Sequence, residues 1–299
     1  MNATNKTTMF DRCSSTFGYQ ELASSPNGKA LTACYMDVFN LIKAYYDQPV
    51  DMTEVFQGPD KKWCWYRDTV DFAKYQLSWV DAARALYSVY DDSPLAFFLN
   101  THKAGGSPDR GYITPTLDAE CRRGDFVKFY ASKIEDRIHS TVDIIPKTKS
   151  DREKAYIIFE SFISNMIVYD HQKGNCGFVD IPSHSILGFV RNNAAVCEGF
   201  AKSYMAMMNY AGIRTICVCG YSYSTGKPVK HACNFVYLSD EKKWIAVDVT
   251  IGVNSKGKNG FNLDMSSGDF IPYPPEEIRG FGEPYIHQPT YRDIWAKLR

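Results

Sequence analysis

Three residues whose types could together support thiol chemistry occur in the second half of this 299-residue chain: Cys197, His231 and Asp248. Cys197 heads the stretch Ala195-Val196-Cys197-Glu198-Gly199-Phe200-Ala201-Lys202-Ser203-Tyr204. Apolar residues then recur at Phe200, Tyr204, Met208 and Ala211 before Gly212 offers a stop, so the spacing predicts a buried helix with the cysteine at its mouth. The unpaired N–H groups of a first helical turn and the positive end of the helix dipole both favour thiolate over thiol. A sulfur so placed is a candidate nucleophile.

A nucleophile needs a base, and the segments downstream offer one. Side chains alternate along a strand, so His231, Cys233, Phe235 and Tyr237 share one face, as do Trp244, Ala246, Asp248 and Thr250. The polar run Ser239-Asp240-Glu241-Lys242 between them reads as a hairpin turn. A hairpin centred between Asp240 and Glu241 pairs residues whose numbers sum to 481 and leaves Asp248 diagonal to His231; recentred between Ser239 and Asp240, the sum is 479 and the two stand directly opposite. Either register puts the carboxylate within reach of the imidazole. A helix N-terminus packed on that same face would then bring Cys197 against His231, giving a nucleophile, a base and a group that orients the base. The same types allow a rival chemistry, since Cys217 with Cys219 and His231 with Cys233 are same-face pairs of the kind that zinc accepts. The other histidines, His102, His139, His171, His184 and His287, show no informative spacing.

The elements that must hold these groups can be read along the chain. Helices are expected over Lys29–Tyr46, over a long amphipathic run from Trp65 to Tyr90, over Asp118–Ile138 and over Asp151–Tyr169. Leu95–Leu99 reads as a short strand, and Lys103–Pro115, rich in Gly and Pro, as a loop. Ile145–Ser150 has linker composition, which divides a mainly helical region, 1–149, from a second region, 150–299. Residues 171–192 are expected to approach Cys197 irregularly, and Arg214–Cys219 to be a strand before a polar loop, Gly220–Pro228. A tail with Pro272, Pro274, Pro275 and Pro284 precedes a short helix at Tyr291–Leu298.

With 34 basic and 34 acidic residues the charge balances, which argues against nucleic acid or an anionic membrane surface as partner. Nine cysteines, an odd count without regular spacing, favour a reducing compartment over a disulfide framework. Met1–Arg12 is polar, so neither a signal peptide nor a membrane anchor is expected and the location reads as cytoplasmic. No Asp-rich calcium loop is visible; neither a cofactor nor a metal is expected.

Four ordered blocks carry a resemblance: Val196-Cys197-Glu198-Gly199-Phe200-Ala201-Lys202, Ala211-Gly212-Ile213, His231-Ala232-Cys233-Asn234, and Trp244-Ile245-Ala246-Val247-Asp248-Val249-Thr250. Together they resemble the core of the bacterial transglutaminase-like superfamily over roughly residues 150 to 252, with Tyr169-Asp170 similar to the segment before the nucleophile. Asp92-Ser93-Pro94-Leu95-Ala96-Phe97-Phe98 resembles the helical region preceding this domain in some bacterial relatives. The resemblance implies an α+β, papain-like fold, with a nucleophile helix on an antiparallel sheet behind a mainly helical N-terminal region. It also implies a catalytic triad of Cys197, His231 and Asp248. Cys233 stands where the family often has Trp, and Ile251 where an aromatic often follows, so a different substrate channel is implied. The expected activity is acyl transfer from peptide or protein amides, leaning to hydrolysis (cysteine peptidase or amidase), with protein-glutamine transamidation and a non-catalytic scaffold on the same fold as alternatives. One oxyanion donor is expected from the Cys197 backbone N–H, with Asn192, Asn193 or Gln172 as candidates for the second.

Overall fold

The computed structural model describes residues 7–52, 63–65, 68–165, 168–169, 182–224, 226–273 and 288–299. Gln172, His171, Asp170, His287, residues 171–181 of the approach to Cys197, and tail residues 274–287 lie outside them.

The chain starts with three helices: α1 (Met9–Cys13), α2 (Phe17–Ser24) and α3 (Gly28–Asp47). Helix α1 opens on a capping box in which Thr8 and Asp11 satisfy each other's backbone N–H groups. The buried face of α3 is Leu31, Tyr35, Val38 and Ile42, the spacing that the sequence displays. Short strands β1 (Trp63–Trp65) and β2 (Val70–Asp71) follow, then a 3-10 turn at Ala73–Tyr75 and α4 (Trp79–Asp92). The expected single helix over Trp65–Tyr90 is therefore only its second half. Gln76 takes a left-handed conformation (φ 57°), and Ser78 caps α4 by accepting the Asp81 N–H, so the helix begins there.

Residues 95–98 form buried turns rather than a strand, and the expected loop at Lys103–Pro115 is an antiparallel hairpin of β3 (Leu99–Ser107) and β4 (Tyr112–Asp118). Pairing of β4 with β1, β2 and β3 overrides the weak strand propensity of its Gly and Pro residues. The helical N-terminal region thus carries a four-stranded sheet. Buried Asp92 ties it together, accepting from the Ser15 hydroxyl (2.5 Å), the Gly18 N–H (2.9 Å) and the Tyr35 hydroxyl (2.8 Å).

Helices α5 (Gly124–Val142) and α6 (Asp151–Ser164) lead to β5 (Val168–Tyr169), α7 (Ile186–Arg191), β6 (Ala194–Ala195) and α8 (Cys197–Tyr210). Gly212, at φ 80°, lies just past the α8 C-terminus, as its sequence position implies. Then come β7 (Thr215–Ser222), β8 (Val229–Leu238), β9 (Lys243–Val247), α9 (Val249–Asn254), β10 (Phe270–Pro272) and α10 (Gln288–Leu298).

These last strands form an antiparallel sheet in the order β10-β7-β8-β9. Helix α8 lies on one face, where Ala201 and Met205 pack with Cys217 and Ala232. Ile216, Val218, Cys233, Phe235 and Ala246 line the other face with Phe17, Phe270 and Ile294. The largest core cluster joins both halves of the chain, combining Phe10, Leu31 and Leu86 with Tyr204, Met208, Val236 and Val249. Among the described residues no helix is long and apolar enough to cross a membrane.

Candidate active site

Cys197 is the first residue of α8, and Val196 before it is held extended, its N–H donating to the Ser183 carbonyl (3.0 Å). That carbonyl belongs to a 3-10 turn, Pro182–His184, that runs against the helix mouth. Gly199 permits the approach, since a Cβ there would lie 2.3 Å from the Ser183 oxygen. Asn234, within the His-Ala-Cys-Asn block, pins the helix to the sheet: its side-chain amide donates to the carbonyls of Ala201 (2.9 Å) and Ile216 (3.2 Å).

The hairpin adopts the register in which paired numbers sum to 481, with Asn234 opposite Val247 and Phe235 opposite Ala246. Two parts of the sequence argument need correction. Strand β9 ends at Val247 instead of running to Thr250; Asp248 leaves the ladder and caps α9, its Oδ1 accepting from the Ile251 N–H (3.0 Å). Helix α8 also packs on the face of Cys217 and Ala232, not on that of Cys233 and Phe235. His231 lies beyond the end of β9, where β8 has lost its partner on that side, and there the three groups meet.

His231 Nε2 and Asp248 Oδ2 are 2.5 Å apart, leaving Nδ1 for the Cys197 thiol, with which His231 also hydrogen-bonds. Asp248 is 2% exposed, and its backbone N–H donates to the Gly260 carbonyl (2.7 Å). The Phe270 ring meets the imidazole edge-on at 6.2 Å. Burial opposes the imidazolium, but the charge and hydrogen bond of Asp248, with the hydrogen bond to Cys197, outweigh it and hold the His231 pKa well above its ordinary value. The carboxylate thus stabilises the form of His231 that exists once the thiol proton has moved to it. Away from the site, desolvation pushes the buried thiols of Cys13 and Cys34 up to about 12.

Asn192 and Asn193 are exposed residues just after α7, and Asn193 holds φ 48°. The Cys197 N–H belongs to the first turn, whose N–H groups have no partner within the helix. The zinc alternative is split by the sheet, because Cys217 and Cys219 face α8 whereas Cys233 faces away. Among the described residues no group of three or more His, Cys, Asp or Glu side chains is arranged to hold a metal.

Two charged partners of the site were not singled out from sequence. Glu198 accepts from Lys202 Nζ (2.8 Å), and its Oε2 lies 3.1 Å from Nδ1 of His184. The Glu-to-Lys spacing of four residues signals the first contact. The second is tertiary, joining the turn to the helix, and no local spacing reveals it. Burial raises the Glu198 pKa, but Lys202 and His184 together bring it well below the usual carboxylate range. Burial likewise opposes the Lys202 ammonium, yet Glu198 holds its pKa above the ordinary lysine value.

Residues 137–249 match the family model of the transglutaminase-like superfamily, a span that contains all three site residues. This part of the chain is transglutaminase-like. Among solved structures, a transglutaminase crystal structure is similar at 22% identity over 46% of this chain and 40% of its own, with a TM-score of 0.34. A candidate cysteine protease from Cytophaga hutchinsonii is similar at 18% identity over 54% of this chain and 55% of its own, also with a TM-score of 0.34. The chain thus spans about half or less of the length of those structures. No curated protein matches the sequence significantly.

Proposed function

We propose that this protein is a thiol acyl-transfer enzyme that cleaves amide bonds in peptides or proteins, with Cys197 as nucleophile, His231 as general base and acid, and Asp248 orienting the imidazole. The observation that carries this reading is one histidine shared between a helix-N-terminal thiol and a buried carboxylate. Cys197 Sγ attacks the amide carbon as its proton passes to His231 Nδ1. The Cys197 backbone N–H donates to the oxyanion that forms. His231 returns the proton to the leaving amine, and a thioester remains. Water then attacks the thioester, giving up a proton to His231, and the carboxylic acid leaves as the thiol re-forms.

We propose water rather than an amine as the usual acceptor. Cys197 is partly exposed, and Ile251, where relatives often carry an aromatic, is 36% exposed and gives no aromatic wall to exclude water. We place the reaction in a reducing compartment such as the cytoplasm, because the nucleophile must stay a thiol and seven described cysteines are free. The test is incubation with a peptide library, with and without a primary amine, followed by mass spectrometry. Products with new free carboxyl ends in both conditions are expected. Amine conjugates alone would replace hydrolysis by transamidation, and no conversion would favour a scaffold.

A further inference from the structure

Glu198 follows the nucleophile directly, and its carboxylate is half-buried between the buried Lys202 and the half-buried His184. Its structural role is that of a clasp. Through His184 it holds the 182–184 turn to the mouth of α8, where Ser183 also receives the Val196 N–H. His184 is no second base for a substrate, because its Nε2 is buried. A fixed negative charge one residue from Cys197 nonetheless opposes charge on the sulfur, since like charges disfavour each other's ionised forms. Lys202 stands four residues on, on the same side of the helix, 7% exposed and 2.8 Å from that carboxylate.

We propose that Lys202 is a positioning residue for Cys197: its ammonium cancels the Glu198 carboxylate at the helix mouth, so that the clasp is kept while negative charge can form on the neighbouring sulfur. The claim rests on Cys197 working as a thiolate. Other ionisable groups also face this region. His184 does so from the turn, Cys217 and Cys219 from β7, His231 from β8 and Asp248 from the start of α9, and the charge of Asp91 on α4 also acts on Lys202. Those groups are the same in every comparison below, so differences between variants isolate the Glu198–Lys202 pair.

The experiment follows the rate of iodoacetamide alkylation at Cys197 against pH in the folded full-length chain, read by peptide mass spectrometry. Lys202→Met leaves the carboxylate uncompensated and should move the inflection up by about one pH unit, which is roughly tenfold slower alkylation below it. Glu198→Gln leaves the ammonium and should move the inflection down. The double variant should return near the parent, a cancellation that a merely structural role would not produce. A folded Lys202→Met with an unshifted inflection, or two single variants shifted in the same direction, overturns the proposal. Should Lys202→Met not fold, Glu198→Gln decides alone, and an inflection at or above the parent's overturns it. Alkylation needs no substrate. These shifts without amide turnover would sink the enzyme reading and leave this one standing.

Discussion

Replacing Asp248 by Asn sets the two roles of that carboxylate against each other. The carboxylate serves His231 with one oxygen and the Ile251 N–H with the other. An amide has only one oxygen. If it keeps the Ile251 N–H, its NH2 group faces Nε2 of His231 and requires an unprotonated nitrogen there, which moves the proton to Nδ1 and leaves no base facing Cys197. If instead it serves His231, the NH2 group points at the partly buried Ile251 N–H and the helix cap is lost, at about 1–2 kcal/mol. Both arrangements lose the charge that favours the imidazolium. Turnover should fall by roughly two to four orders of magnitude, by analogy with the serine triad. Stability should fall by about 1–3 kcal/mol, a few degrees to roughly 10 °C in Tm. A further signature is pH-dependent. His231 has a folded pKa above its unfolded value of 6.5, so its stabilisation is fully present below that pH and is lost as pH rises through the folded value. Thermal melts of the parent should show that loss on the alkaline side, and Asp248→Asn should flatten it. The assay is the pH-rate profile alongside melts that start below the ordinary histidine value of about 6.5 and run into the alkaline range. Full activity with an unchanged profile would refute the reasoning and leave a Cys-His dyad.

Cys197→Ala should abolish amide turnover with little change in Tm, whereas His231→Ala should abolish it and also lower Tm, because the buried Asp248 carboxylate loses its partner; both are measured on a substrate that the parent cleaves. Asp92→Ala strands several buried donors from Ser15, Gly18 and Tyr35 and should cost roughly 3–5 kcal/mol, read by denaturant unfolding, without direct effect on the chemistry. A fragment covering 150–299 would lose Phe10 and Leu31 of the shared core cluster and, with α1, the Arg12 guanidinium that lies over the Tyr210 ring and the Cys13 carbonyl that accepts from the Asn209 amide. It should show a loose, dye-binding core by fluorescence, and a cooperative unfolding transition matching the whole chain would show instead that this region folds alone.

Much of the site was legible because two periodicities are local. The 3.6-residue spacing after Cys197 marks α8, and period-two alternation with a polar turn marks the β8–β9 hairpin in one of its two expected registers. The meeting of His231 with Asp248 was anticipated, but through a strand assumed to reach Thr250. What delivers Asp248 is its role as the cap of α9, a role that favours Asp wherever a helix begins. The face on which α8 packs was not legible, since both faces of β7 and β8 are apolar and both are covered. The hairpin at 99–118 was hidden by its Gly and Pro residues, and the onset of α4 by apolar residues that continue the helical spacing through non-helical backbone. Ser78-x-x-Asp81 was the available signal for that onset. His184 escaped notice because its partner lies 14 residues away across a turn.

The most direct measurement is intact and peptide-level mass spectrometry of the parent, quenched in acid during turnover of an amide substrate. The account predicts a thioester-linked acyl group on Cys197 that is discharged by water and is absent from Cys197→Ala. An acyl group on another residue, or amide cleavage by Cys197→Ala at the parent's rate, would contradict it.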